Sequence, residues 1–238
     1  MTNPTARHAG HRGTGPGAKT PDGCAVDLYA RLKAGREPDV IAAAIPAGAT
    51  LLELGCGAGR VTEPLAARGF RVTAVDESAE MLERVRDRAP AARTVHAPIE
   101  DLDLGERFDA VTLASFLVHT VDDRQRAALL AACRRHVRAD GCVLIEREGP
   151  DWHTNRSLPH ERHDEAAGCT TRVVSAEPAG DGRLRMRMEY VWPDATWAHE
   201  FFSRPLTEEA FEGHLDAAGL AVDRYLTDDG VWVRAVPV

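Results

Sequence analysis

The 238-residue chain has no run of eighteen apolar residues, and its N-terminus is polar, without the apolar core of a signal peptide. These absences argue against a membrane-spanning helix and a secretory leader, and set the expectation of a soluble, unexported, cytoplasmic protein. Paired cysteine motifs are missing too. Cys24, Cys56, Cys133, Cys142 and Cys169 form an odd set with no C-x-x-C, so neither a disulfide framework nor a zinc ribbon is indicated. Positive charge is in deficit, 29 basic against 37 acidic residues, a net charge of −8 that disfavours a protein held to nucleic acid through phosphates. The length suits one α/β domain with a small addition, burying roughly 70–75% of the unfolded surface.

What the chain does have is a strand, a glycine turn and a helix in succession. Thr50-Leu51-Leu52-Glu53-Leu54 is an apolar run that breaks into Gly55-Cys56-Gly57-Ala58-Gly59-Arg60 and then becomes helical. Glycines there let the backbone approach a ligand with no Cβ in the way, and the first amides of the following helix are free. About twenty residues on, Phe70 to Val75 reads as a second strand ending in Asp76, the place where doubly wound sheets hold ribose hydroxyls. A dinucleotide loop would read G-x-G-x-x-G; here Arg60 stands at the third glycine and Glu53 precedes the first by two residues.

The run Glu53-Leu54-Gly55-Cys56-Gly57-Ala58-Gly59, with Asp76 beyond it, resembles the first motif, (D/E)-x-G-x-G-x-G, of the class I S-adenosylmethionine-dependent methyltransferases of the bacterial small-molecule type. The resemblance covers roughly residues 25–238, with its specific motifs confined to 53–102. It implies an α/β fold: a three-layer Rossmann-like seven-stranded sheet, last strand antiparallel, with a small antiparallel β lid inserted after strand 5. The composition of residues 1–22, rich in Gly, Thr, Pro, His and Arg without apolar period, marks a disordered tail; the resemblance then implies N-terminal helices and the cofactor-binding core over 23–150, a substrate lid over 151–205, and a C-terminal helix and β-hairpin over 206–238. S-adenosylmethionine is the implied cofactor and S-adenosylhomocysteine its product. The implied cofactor contacts are Glu53, Gly55, Cys56, Gly57, Gly59, Arg60, Asp76, Glu77, Met81 against adenine, the Ile99 backbone, Glu100 and Ala114. Many relatives carry an Asp where this chain has Pro98, so Glu100 is the substitute acceptor for the adenine amino group.

In chain order, Val26, Leu28, Tyr29 and Leu32 predict one helix and Pro38 to Ile45 a second. In the resembled family such helices cover the cofactor, which makes Tyr29 a pocket candidate. Ser78 is the expected N-cap of the helix carrying Met81. Phe108–Leu113 reads as the fourth strand, which places His119 beyond its end as the first catalytic candidate, a neutral imidazole able to accept a proton. After a helix over about 122–137, Asp140-Gly141 turns into the strand Cys142–Ile145. It emerges at Glu146 and Arg147, the other catalytic candidates. Arg147 is suited to hold a carboxylate or phosphate, or else to pair with Glu146 and Glu148. Trp152, His153 and His199 are the further substrate-binding candidates.

His153, His160 and His163 lack the spacing of a metal site, and a charged helix or loop is expected there, so no metal is predicted. From Thr170 the period becomes two: strands at 171–176, 183–192 and 197–202, with Leu184, Met186, Met188, Tyr190 and Trp192 on one face of the middle strand and Arg183, Arg185 and Arg187 on the other, a stripe read as solvated. Thr207-Glu208-Glu209-Ala210 opens a capped helix, and strands at 220–226 and 231–236 close the chain.

The expected activity is methyl transfer to nitrogen, oxygen or carbon of a small molecule by a monomer or homodimer, without nucleic acid or membrane; no N/D-P-P-Y/F tetrapeptide of amino-directed nucleic-acid methylases is present. Arg- and Ala-rich composition suggests a high-GC bacterium and secondary metabolism. The alternatives are a nicotinamide oxidoreductase, opposed by Arg60 and Glu53, and a non-catalytic module that binds S-adenosylmethionine.

Overall fold

The computed structural model describes residues 10–149, 152, 157–165 and 167–238, which fall into two compact units. One comprises residues 34–150 and 206–238; the other comprises 1–33 and 151–205.

The first of these units is built on a seven-stranded sheet. Its strands are β2 (Thr50–Leu54), β3 (Arg71–Asp76), β4 (Arg93–His96), β5 (Phe108–Leu113), β6 (Val137–Glu146), β11 (Leu220–Tyr225) and β12 (Trp232–Pro237), in the order β11-β12-β6-β5-β2-β3-β4. Neighbours from β6 to β4 pair in parallel, and β12 alone runs antiparallel, between β11 and β6. The chain moves outward from β2 to β4 and returns to β5, so its topological switch point lies between β2 and β5, where open sheets of this kind hold ligands.

Side-chain alternation along the strands makes three layers. Leu52, Leu54, Val111, Leu113, Val143 and Ile145 face α5 (Asp123–His136) and α6 (Glu208–Ala217), which contribute Leu129, Leu130, Cys133, Phe211 and Leu215. Leu51, Val72, Ala110, Cys142 and Leu144 face the other way, towards Ile41 of α2 (Glu37–Ala44) and Leu65 of α3 (Thr62–Ala67). The remaining helix, α4 (Ala79–Arg88), starts at Ser78, whose hydroxyl accepts the Met81 N–H at 3.2 Å, as its sequence position leads one to expect. At α5 the Asp122 carboxylate caps Arg124 and Gln125, and at α6 Thr207 caps Ala210. One boundary differs from expectation: β6 begins at Val137 and runs through Asp140-Gly141 without a turn, because Phe108 of β5 already pairs with Val137.

The second unit is a five-stranded antiparallel sheet, β1 (Arg12–Thr14), β7 (His160–Asp164), β8 (Cys169–Pro178), β9 (Leu184–Val191) and β10 (Thr196–Ser203), in the order β1-β10-β9-β8-β7. The expected three-strand meander is its centre. Two edge strands were missed. β1 lies in the run expected to be a loose tail and pairs Arg12 with Glu200; β7 replaces the charged helix or loop expected near His160. Every β7 side chain is exposed, so no apolar period marks it, and its order comes from pairing with β8. The short helix α1 (Val26–Arg31) belongs to this unit, whereas the resemblance grouped it with the core over 23–150; Leu28 and Ala25 pack with Trp197. The arginine stripe on β9 is paired more than solvated: Arg185 and Arg187 both reach Glu200 across the sheet, at 2.7 and 2.8 Å. No helix among the described residues is long and apolar enough to cross a membrane.

Candidate active site

The glycine turn follows β2 at the carboxyl edge of the sheet. Gly55, Gly57 and Gly59 all take positive φ, 71°, 53° and 82°, where a side chain is strained. Space is tight as well: a Cβ on Gly55 would push on the tip of Leu117 (Cδ1 at 2.9 Å), and one on Gly59 would crowd Val85 at 3.2 Å. The turn is tied to β3 by the Gly55 and Cys56 N–H groups, both donating to the Val75 carbonyl at 2.9 Å.

Asp76, at the end of β3, accepts the Gly57 N–H on Oδ2 (2.8 Å) and the Ser78 N–H on Oδ1 (2.9 Å). Both oxygens of the carboxylate are thus held against the turn, at the strand end where doubly wound sheets hold a ribose diol. Glu53 is buried beneath the turn and accepts the Thr62 hydroxyl at 2.6 Å; burial, set against Thr62 and Arg60, pushes its carboxyl up to about 7. The Cys56 thiol is likewise pushed well up by burial and by the charges of Glu53 and Asp76, which leaves it inert. Arg60 pairs with Glu37 of α2, and Glu37 Oε2 is buried without a hydrogen-bond partner.

Met81 and Ile99 are buried near this turn, while Ala114 and Glu100 are half-buried, with Glu100 Oε1 accepting from Gln125 at 2.9 Å. The Glu77 carbonyl takes His96 Nε2 at 2.9 Å. Three left-handed glycines, an acid at the end of the next strand and buried apolar side chains fit a nucleoside with a short zwitterionic tail, which is the chemistry of S-adenosylmethionine.

Beyond β5 the backbone is strained at two consecutive residues, Ser115 (φ 55°) and Phe116 (φ 61°). Glu146, at the end of β6, holds this bend by accepting the Ser115 N–H at 2.7 Å, and burial raises its carboxyl above the usual range. Arg126 of α5 anchors the segment from below, its Nε donating to the Val118 carbonyl at 2.8 Å. His119 departs from the expectation of an open base. It is 3% exposed, and its Nε2 accepts the Glu148 N–H at 2.9 Å, so the neutral ring carries its proton on Nδ1, 3.5 Å from the Glu148 carboxylate. The lone pair a base would use is taken. Nor do Glu146, Arg147 and Glu148 form the mutual ion pair that was the alternative reading: Glu146 serves Ser115, Glu148 serves His119, and Arg147 donates to the Leu206 carbonyl at 3.3 Å.

The substrate candidates Tyr29, Trp152 and His199 lie in the other unit, and His153 falls outside the described residues. There Tyr29 and His199 meet one polar cluster: the Cys24 sulfur lies 3.3 Å from the Tyr29 oxygen and 3.2 Å from the Asp22 carboxylate, and His199 Nε2 is 3.1 Å from the Asp22 carbonyl. Cys24, burial and Tyr190 hold the Tyr29 hydroxyl well above its ordinary range. Trp152 is half-buried in a turn.

Sequence reasoning missed Glu37 and Thr62, and named Glu148 only as an ion-pair partner of Arg147. Thr62 lies nine residues from Glu53 on the helix behind the turn, a placement the strand-turn-helix pattern does contain; Glu37 and Glu148 carried no motif.

Comparison with known proteins agrees with this geometry. A methyltransferase domain family matches residues 51–141. The chain is 33% identical over 187 residues to dTDP-3-amino-3,6-dideoxy-alpha-D-glucopyranose N,N-dimethyltransferase of Streptomyces fradiae, covering 75% of this chain and 72% of that one. It is 27% identical over 201 residues to dTDP-4-amino-2,3,4,6-tetradeoxy-D-glucose N,N-dimethyltransferase of Saccharopolyspora spinosa, covering 80% and 79%. Among solved structures, S-adenosylmethionine-bound CalS10, an amino pentose methyltransferase from Micromonospora echinaspora, superposes with a TM-score of 0.67 at 25% identity, over 89% of this chain and 95% of that one. The chain belongs to the class I S-adenosylmethionine-dependent methyltransferases. It is an enzyme, and S-adenosylmethionine is its methyl donor.

Proposed function

We propose that the acceptor atom is an amino nitrogen of a small molecule, an amino sugar carried on a nucleotide being the class that best suits the chain. The observation that carries this reading is the 33% identity, spread over three quarters of the chain, to an enzyme that dimethylates such an amine. S-adenosylmethionine, when bound, supplies a methyl group already activated by its sulfonium. The Gly55–Gly59 turn and Asp76 would hold it, with Met81 and Ile99 against its base.

What the chain must add is alignment, exclusion of water, and a destination for one proton. The nitrogen lone pair forms the N–C bond as the S–C bond breaks, and the proton of the resulting ammonium must leave. In our reading Glu146 takes that proton: its carboxyl is raised by burial and sits beside the strained bend after β5, whereas the His119 lone pair is engaged. The same reading makes the enzyme cytoplasmic, a monomer or homodimer, and indifferent to nucleic acid.

The test is incubation of the purified protein with S-adenosylmethionine and dTDP-3-amino-3,6-dideoxyglucose, followed by mass spectrometry. One or two methyl increments on the sugar support the proposal. S-adenosylhomocysteine release only with hydroxyl or carbon acceptors rejects nitrogen as the target.

A further inference from the structure

Arg147 is a buried cation for which the fold supplies almost no partner. Its side chain is 2% exposed, Nε has no hydrogen-bond partner, Nη2 makes a single long bond of 3.3 Å, and the guanidinium lies 4.8 Å over the Phe211 ring. No ion pair reaches it among the described residues. Arg126, equally buried in the same unit, shows how this fold treats a structural guanidinium: Nε donates to Val118, Nη1 to Asp123 at 2.5 Å, and Nη2 to the Thr120 carbonyl. Taking a charge out of water without a counter-charge is expensive, so an unmatched buried arginine marks a place for an anion.

Arg147 also lines a cavity of about 370 Å³, together with Glu208, Tyr225, Leu226, Thr227, Asp228 and Gly230. That is within the range of small-molecule sites, roughly 300–1,000 Å³. The cavity lies past the carboxyl ends of β6 and β11, at the same edge of the sheet as the glycine turn. Since β5 stands between β2 and β6, it is separate from the Gly55–Gly59 turn. Tyr225 also lines it, its hydroxyl donating to Glu212 Oε1 at 3.4 Å; burial first, and Glu208 next, push that hydroxyl up to about 12, so it stays neutral at neutral pH. Glu208 and Asp228 are exposed and work against an anion by charge alone.

We propose that this cavity is an oxyanion subsite in which the Arg147 guanidinium receives the phosphate or carboxylate group of the methyl acceptor. The planar fork of arginine suits either oxyanion in bidentate fashion. Assignment of the anion to the acceptor rests on the amine-methylation reading above; occupancy of the cavity by an oxyanion does not.

Two measurements separate these claims. The full chain, saturated with S-adenosylhomocysteine at low salt, is titrated calorimetrically with inorganic pyrophosphate and with acetate, while NMR follows the Arg147 Nε–H signal. Wild type is expected to bind pyrophosphate with movement of that signal; Arg147→Gln should lose at least about tenfold in affinity, Arg147→Lys less, and Glu208→Gln should gain several-fold. S-adenosylmethionine affinity should be unchanged in all three variants. No binding to wild type, or equal binding by Arg147→Gln, overturns the subsite. Should that variant fail to fold, an unmoved Nε–H signal together with unchanged affinity in Glu208→Gln overturns it just as well.

The second measurement compares KM for the nucleotide-linked amino sugar and the free amino sugar. The ratio should collapse towards one in Arg147→Gln; a ratio unaltered by the substitution removes the acceptor from this cavity. If no amine is methylated at all, the acceptor reading fails, and the pyrophosphate titration still reports on the cavity alone.

Discussion

At the scale of single residues, the carboxyl edge of the parallel sheet holds acids in opposite electrostatic circumstances. Asp76 accepts two backbone N–H groups at the end of β3; Asp76→Ala should weaken S-adenosylmethionine binding by about 1.5–3 kcal/mol, and an unchanged calorimetric Kd in the folded variant would remove Asp76 from the site. Glu53 is buried, with its carboxyl raised from 4.5 to about 7, so the folded chain holds that proton more tightly than the unfolded chain. Below pH 4.5 both states are protonated and nothing is lost. Between that pH and about 7 the unfolded chain releases its proton first, and stability falls as pH rises, by roughly 3 kcal/mol at most. Glu53→Gln should therefore show a flatter dependence of denaturation midpoint on pH across this window than wild type, and parallel curves would refute the buried-acid assignment. Glu146 and His119 divide differently. If Glu146 takes the proton, Glu146→Gln should lower kcat by about 10²-fold or more and abolish the acidic limb of the pH profile. His119→Ala should instead destabilise the fold by about 1–3 kcal/mol, since it strips the Glu148 N–H of its acceptor, and leave the shape of that profile intact.

Among elements, the strained bend after β5 joins the most parts of the site, since Glu146 of β6 and Arg126 of α5 both grip it. The glycine turn shows the same economy: Gly55→Ala puts a side chain at φ 71°, so it should strain the turn and weaken S-adenosylmethionine binding at least several-fold, and an unchanged calorimetric Kd would contradict the conformational argument. The turn, its flanking strand and helix, and Asp76 were legible in the sequence because each rests on a local rule: alternating glycines, apolar runs of strand length, an acid at a strand end. The caps at Ser78 and Thr207 were legible for the same reason. What could not be read depends on pairing over long sequence separations. β1 is three residues without apolar period, ordered by β10 nearly two hundred positions away, and β7 is fully exposed along its length. His119 was misjudged because a histidine past a strand end reads alike whether its lone pair is free or taken by an N–H twenty-nine residues on.

For the whole molecule, the two units divide the candidate residues cleanly: every cofactor candidate falls within residues 34–150, while Tyr29, Trp152 and His199 fall in the unit formed by 1–33 and 151–205. The N-terminal segment is integral to that second unit. β1 extends its sheet, the Trp197 indole donates to the Pro16 carbonyl at 2.9 Å, Arg31 lies 5.1 Å over the Trp197 ring, and both Arg31 terminal nitrogens bind Asp194 at 2.8 Å. Deleting residues 1–33 removes Ala25 and Leu28 from around Trp197 and exposes an aromatic that is 1% accessible. Amide exchange over 196–203 should rise steeply in the truncated chain, because β10 becomes an edge strand with an uncovered core face. The parallel sheet keeps its own core and all of its cofactor candidates, so S-adenosylmethionine affinity should remain within a few-fold of the full chain. The resembled family implies the opposite, since there the first helices cover the cofactor. A loss of more than about tenfold in affinity, with the parallel sheet still protected from exchange, would make α1 part of the cofactor site and show that residues 34–150 do not suffice to hold the donor.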